Sequence, residues 1–137
     1  MSLIFKIKNL KYNVIVQIVT CTGQERFLST REYVLEGADG VIFVGDSDPE
    51  KLEENKRSFR ELISFTRASK IPYVIQLNKR DLKNAISLIN FKKQLGLPEG
   101  DLYPNGSPVV FPVIAIKGVN VLECFWDLIT QILIKIL

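Results

Sequence analysis

Short apolar runs alternate with longer amphipathic stretches along most of this chain. Ile4–Lys8 and Val14–Val19 are rich in β-branched residues and flank the polar stretch Asn9–Asn13, which predicts an antiparallel pair of strands. Further along the chain, each short apolar run is followed by a stretch in which apolar residues recur with the spacing of an amphipathic helix. The elements predicted there are strands at Gly40–Val44, Tyr73–Leu77 and Val109–Ile116, and helices at 49–68, near Ile86–Leu95 and from about Val121.

The helix at 49–68 has the strongest local signals. Asp48 can cap its N-terminus, and Pro49 suits the first helical position. Charged residues occupy one side of the helix and apolar residues recur on the other, as expected for a helix packed on a core. The predicted apolar stripe consists of Leu52, Phe59, Leu62, Ile63 and Thr66.

Strands that alternate with helices and are apolar on both faces predict an α/β fold, with a mostly parallel sheet covered by helices on both sides. The opening hairpin would add an antiparallel edge. Ligands of such sheets bind beyond the carboxyl ends of the strands. The polar and glycine-bearing segments at those ends are Thr20–Glu25, Asp46–Asp48, Asn78–Asp81 and Ala115–Gly118.

Length and composition narrow the class of protein. The 137 residues, 47% of them hydrophobic, suit one domain spanning 1–137. The chain has two cysteines and no histidine. These are too few for a zinc site or a disulfide framework, and they exclude a Ser-His or Cys-His nucleophile. We predict no metal ligands from these residue types, and a reducing, cytoplasmic location.

Charge argues against two further classes. The net charge of +3 is small and the basic residues are scattered among acidic ones, whereas nucleic-acid binding needs a basic patch. The apolar C-terminal stretch Val121–Leu137 carries Glu123, Asp127 and Lys135, which predicts a buried or partner-facing helix and no transmembrane segment.

The run Asn78-Lys79-Arg80-Asp81 follows an apolar strand and resembles the NKxD base-recognition motif of small GTPases. A carboxylate such as that of Asp81 can accept hydrogen bonds from the ring N–H and the exocyclic amine of guanine, and adenine has no such donor pair. The resemblance implies that the stem of Lys79 lies along the purine face and that Asn78 ties this loop to its neighbour. The alternative is a turn followed by a helix cap.

Two further segments are similar to motifs of the same superfamily. Thr22-Gly23-Gln24-Glu25-Arg26-Phe27 resembles switch II, which implies that Gly23 reaches the γ-phosphate and that Gln24 orients the attacking water as the catalytic residue. The segment Ile114–Val121 resembles the S-A-K-x-G-x-N-V stretch that closes over the base, which implies that Ala115 donates its N–H to the guanine oxygen and that Ile116 lies beside the base. Isoleucine replaces the family's serine and lysine there, and a plain strand-to-helix loop explains this segment equally well.

The resemblance to Ras-like small GTPases covers the chain from about Leu3 onward, and within that superfamily the gliding-motility GTPases of the MglA type are most similar. In them threonine also stands where most members have aspartate, as Thr20 does in the run Thr20–Gln24. The resemblance implies a three-layer, P-loop-NTPase-like fold, a prokaryotic origin, GTP or GDP as ligand, and a protein effector or regulator as partner. Magnesium would accompany the nucleotide, although Thr20 weakens that expectation.

A phosphate loop of the form G-x-x-x-x-G-K-[ST] does not occur in this sequence. We therefore expect a G domain that is incomplete at its N-terminus, without the family's first strand and phosphate-loop helix. Losing a central strand would leave unpaired edges, which predicts a homo-oligomer or a strand-donating partner. The residues expected to be partly core and partly interface are Phe125, Trp126, Ile129, Leu133 and Ile136.

Three functions remain open from the sequence. The first is a guanine-nucleotide switch of the small GTPase type, impaired in hydrolysis because the phosphate loop is missing. The second is a nucleotide-free interaction or scaffold module that keeps only the fold. The third is an unrelated flavodoxin-like domain, which has the same sheet pattern and leaves the Asn78–Asp81 run unexplained.

Overall fold

The structure is a computed structural model and describes residues 2–6, 13–20, 34–97 and 110–136. Contacts within the chain divide it into two compact units, Met1–Gly37 and Ala38–Leu137. Each unit is described by itself.

The first unit contains two antiparallel strands, β1 (Ser2–Lys6) and β2 (Asn13–Gln17). Ser2 lies opposite Gln17 and Lys6 lies opposite Asn13, so the predicted antiparallel pairing is confirmed. Exposed and half-buried positions alternate along β2, because successive side chains of a strand point to opposite faces.

The second unit contains a parallel sheet in the order β3-β4-β5, formed by β3 (Val41–Asp46), β4 (Tyr73–Asn78) and β5 (Val110–Pro112). The central strand β4 is an apolar run, and three of its side chains are fully buried, those of Val74, Ile75 and Leu77. A strand buried on both faces is typical of a parallel sheet between helices. The predicted α/β class and parallel sheet are thus confirmed.

Helices cover both faces of this sheet. On one face α1 (Leu52–Ser69) and α2 (Leu88–Gln94) contribute Phe59, Leu62 and Phe91 to a core shared with Ile75 and Leu77. On the other face α3 (Val121–Ile136) packs Cys124 and Leu128 against Val74, Phe111 and Val113. The three layers follow from the alternation of side chains along β4.

Hydrogen bonds hold both ends of α1. The Asp48 carboxylate accepts the N–H of Glu50 at 3.0 Å, and residues Pro49–Lys51 form a 3₁₀ turn before the α-helix begins at Leu52. At the other end Lys70 has a left-handed backbone (φ 57°), its N–H donates to Thr66, and its carbonyl accepts the ammonium of Lys135.

The strand predicted at Val109–Ile116 is shorter in the structure, where β5 ends at Pro112. Val113 still donates its N–H to the Leu77 carbonyl at 2.9 Å, but the next residues leave the sheet. Ala115–Lys117 form a 3₁₀ turn that Gly118 closes with a positive φ of 70°. The apolar residues of this segment therefore do not all belong to a strand: Val113 is buried beside β4, whereas Ile116 is 92% exposed in the turn.

The five α3 residues expected to be partly core and partly interface divide in the structure. Ile129 is buried, whereas Trp126 and Ile136 are 48% and 68% exposed. Phe125 and Leu133 are half-buried.

Candidate functional site

The carboxyl ends of β3 and β4 meet at one edge of the sheet. The parallel register places Asp46 beside Asn78. Beyond these residues the fully buried Ser47 donates its N–H to the Asn78 carbonyl at 3.0 Å, and its hydroxyl donates to the same oxygen. The Ser47 carbonyl in turn accepts the N–H of Ile86 at 2.8 Å. The loops after β3 and β4 are therefore joined through Ser47.

Asn78 connects its own loop to the one after β5. Its side-chain Oδ1 accepts the N–H of Ala115 at 2.9 Å. The N–H of Arg80 adds a second link by donating to the Val113 carbonyl at 3.3 Å. The Asn78–Asp81 run and the Ala115 turn are thus held as neighbours, although 37 residues separate Asn78 from Ala115.

Lys79 follows Asn78 with a left-handed backbone (φ 63°). Its ammonium donates to Oδ2 of Asp46 at 2.8 Å, and the other carboxylate oxygen of Asp46 accepts the N–H of Asp48 at 2.9 Å. Burial acts to raise the pKa of Asp46, but the hydrogen bonds from Lys79 and from Asp48 outweigh it and the pKa lies below its ordinary value. The same hydrogen bond to Asp46 raises the pKa of Lys79, so both partners stay charged near neutral pH.

Two residues that support this edge are not recognisable as functional from a motif. Asn55 on α1 accepts the N–H of Asp46 at 3.2 Å and donates its amide to the Asp46 carbonyl at 2.9 Å. Arg80 donates from Nη1 to Oγ of Ser47 at 3.2 Å and to the Ile86 carbonyl. A signal for Asn55 does exist in the sequence, because it is a polar residue on the apolar stripe of α1, three positions after Leu52 and four before Phe59.

A shallow cleft of about 200 Å³ opens at this edge, lined by Val44, Gly45, Asp46, Asn78 and Lys79. Asp81 is exposed. Within the part of the chain that the structure describes, no hydrogen bond or ion pair involves the Asp81 carboxylate. Charged side chains of both signs lie on the segments that meet here, among them Asp46, Asp48, Lys51, Lys79, Arg80, Asp81 and Lys117.

The residues predicted from the switch II resemblance, Gly23 and Gln24, lie outside the described residues. Ala115 and Ile116 lie in the 3₁₀ turn beside Asn78, and the Ile116 side chain is 92% exposed. The N–H that Ala115 was expected to offer to guanine donates to Asn78 in this structure. A base oxygen would share that N–H or replace the bond.

Within the described ranges, no helix is both long enough and apolar enough to span a membrane. Among the same residues, no three His, Cys, Asp or Glu side chains come together in a group that could hold a metal ion.

Comparison with known proteins gives one family and several relatives. The model of the ADP-ribosylation factor family matches residues 2–132. The mutual gliding-motility protein MglA of Myxococcus xanthus is 42% identical over 83 residues, which are 57% of this chain and 43% of that protein. The human ADP-ribosylation factor-like protein 4A is 33% identical over 78 residues, 56% of this chain and 39% of that protein.

The human ADP-ribosylation factor-like protein 4C is 32% identical over 102 residues, which are 74% of this chain and 52% of that protein. The chain thus matches about half, or less, of the length of these curated relatives.

Proposed function

We propose that this chain, which belongs to the ADP-ribosylation factor family of Ras-like small GTPases, is a G domain that reads guanine as part of a GTP/GDP switch. The proposal takes residues 1–137 as one domain. One observation carries it: the hydrogen bond from Ala115 to Asn78 brings the two candidate base-binding segments together.

Guanine selectivity is assigned to Asp81. Its carboxylate can accept two hydrogen bonds from guanine, whose ring N–H and exocyclic amine point the same way, and adenine lacks that pair of donors. The absence of a hydrogen bond or ion pair to Asp81 within the described residues supports this role, because the oxygens are then available to a ligand. Because Asp81 is exposed, its charge stays hydrated and costs little free energy to keep.

The remaining site residues have supporting roles in this proposal. Lys79 supplies an aliphatic wall for the purine, Asn78 aligns the two loops, and the turn at Ala115 and Ile116 closes over the base. Gly23 and Gln24 would face the γ-phosphate, with Gln24 as the residue that orients water.

Phosphate binding is the weaker part of the proposed site. The sequence contains no G-x-x-x-x-G-K-[ST] phosphate loop, and the ammonium of Lys79 is already paired with Asp46. We therefore propose weak phosphate binding and impaired hydrolysis for these 137 residues, with any magnesium held chiefly by the nucleotide.

A second candidate is a nucleotide-free interaction module of the same fold. It is favoured by the hydrogen bonds within the site, since Ala115 donates to Asn78 and Lys79 pairs with Asp46. A protein effector or regulator is the proposed partner in either case, in the cytoplasm.

Association through a strand edge is part of the same proposal. Strand β3 is at an edge of the three-stranded sheet described here, and its Val44 side chain is 56% exposed. Such an edge can pair with a second copy or with a partner's strand.

Calorimetric titration with guanosine, GDP, GTP and ATP separates the two candidates. Guanine-selective binding that Asp81→Asn abolishes supports the switch. If no nucleotide or nucleoside binds the folded wild-type chain, the base-reading proposal fails and the interaction module remains.

A further inference from the structure

Asp46 is held in place more firmly than a surface carboxylate usually is. Its N–H and its carbonyl are both bonded to the side chain of Asn55, which is only 7% exposed. Its Oδ1 accepts the N–H of Asp48 at 2.9 Å. Backbone and side chain are thus fixed by separate groups, and Oδ2 remains for one further partner.

That partner is the ammonium of Lys79, at 2.8 Å from Oδ2. The backbone of Lys79 is also held in place, because it lies between Asn78, which is bonded to Ala115, and Arg80, which is bonded to Val113. With both ends of the residue held, the aliphatic stem has to cross from β4 to β3. Lys79 lines the cleft together with Val44 and Gly45.

We infer that Asp46 is a positioning residue for base recognition, which acts by holding the ammonium of Lys79 so that the lysine stem stays in place for a base to pack against. This inference rests on the proposed function. It goes beyond the base-recognition motif, because Asp46 precedes that motif by 32 residues in the sequence and belongs to another strand.

Asp46 does not act here chiefly through stability. The side chain of Lys79 is 55% exposed, and ion pairs with an exposed partner contribute little to folding because water and salt screen them. The Asp46–Lys79 ion pair contributes to ligand binding instead. A side chain that is already ordered loses less conformational entropy when a base packs against it.

A double-mutant cycle tests this role, with guanosine as the titrated ligand so that phosphates do not contribute. Asp46→Asn keeps an oxygen for the Asp48 N–H and removes the charge that holds Lys79. It is expected to weaken guanosine binding about three- to tenfold. Lys79→Met keeps an aliphatic stem without an ammonium, and in that background Asp46→Asn is expected to change the affinity less than about twofold.

Three further measurements make the test specific. Asp46→Glu restores the negative charge and should recover part of the guanosine affinity. This variant keeps the test usable if Asp46→Asn folds poorly. The NMR titration of the Lys79 ammonium should show a lower pKa in Asp46→Asn than in the wild type. Glu53→Gln, which removes an exposed ion pair with Lys56 on α1, is the matched control and should leave guanosine binding unchanged.

The outcomes separate this inference from the proposed function. If Asp46→Asn weakens guanosine binding by the same factor with Lys79 and with Met at position 79, Asp46 does not act through Lys79 and the inference is wrong while base reading stands. If wild-type protein binds neither guanosine nor GDP, the proposed function itself fails, and with it a base-positioning role for Asp46.

Discussion

The side-chain oxygen of Asn78 accepts the backbone N–H of Ala115 at 2.9 Å, and this bond joins the loops after β4 and β5. Both residues belong to segments that resemble guanine-binding motifs. The bond places them side by side, so a ligand held by one loop is within reach of the other.

Replacing Asn78 by Ala should loosen the turn at Ala115. We expect the free energy of unfolding to fall by about 1 kcal/mol, the net value of one such hydrogen bond. The amide of Ala115 should exchange with solvent faster. Asn78→Asp, which keeps an acceptor oxygen, is the control. An unchanged exchange rate at Ala115 in Asn78→Ala would show that the bond does not hold the turn in solution.

Replacing Asp81 by Asn should remove guanine selectivity. The amide has only one acceptor oxygen and adds donors that face the donors of guanine, and a hydrogen bond to a charged group contributes roughly 1.5–3 kcal/mol. We expect guanosine affinity to fall roughly 10- to 100-fold. Calorimetry measures the affinity, and Glu53→Gln, which changes an exposed carboxylate that has no proposed part in the site, is the control. Equal affinity in Asp81→Asn and wild type would remove Asp81 from the base site.

Phe91 links the hydrophobic core to the cleft. Its ring is fully buried, and a Cβ added to Gly45, which lines the cleft, would lie 3.0 Å from Phe91 Cζ. Phe91→Ala should lower the free energy of unfolding by about 3–5 kcal/mol. Ile89→Ala, in the same helix at a position 82% exposed, should change it by less than about 0.5 kcal/mol. Chemical denaturation of both variants gives the comparison, and similar costs would contradict the burial of Phe91.

The Cys124 thiol should make the free energy of unfolding depend on pH in the alkaline range. Burial raises the pKa of its thiol from 9.0 to about 11. The folded state keeps a proton that the unfolded state releases above pH 9, so stability is complete below pH 9 and is lost as the pH rises towards 11. The loss is about 2 to 3 kcal/mol from this group alone.

The measurement for Cys124 is a difference. Denaturation of wild type and Cys124→Ala at pH 8, 9, 10 and 11 cancels the other titrating groups. Wild type should lose stability relative to Cys124→Ala across this range. Parallel curves would show that the thiol titrates at its ordinary pKa in the folded protein.

The order of strands and helices could be predicted from the sequence because it depends on local signals. The apolar run of β4, the Asp48-Pro49 start of the first long helix and the apolar stripe of α1 are each contained within a few residues. The strand expected up to Ile116 was wrong beyond Pro112, since a short apolar run alone does not distinguish a strand from a turn.

In the candidate site, too, only the features that depend on local sequence could be predicted. The sequence by itself determined that Asn78, Lys79 and Asp81 follow a buried strand, because the motif and the strand are adjacent in the chain. Only the tertiary structure decided that Lys79 pairs with Asp46 and that Asn78 bonds Ala115. These partners are more than 30 residues apart, and their contact depends on the parallel register of β3, β4 and β5, which no local pattern of residues specifies.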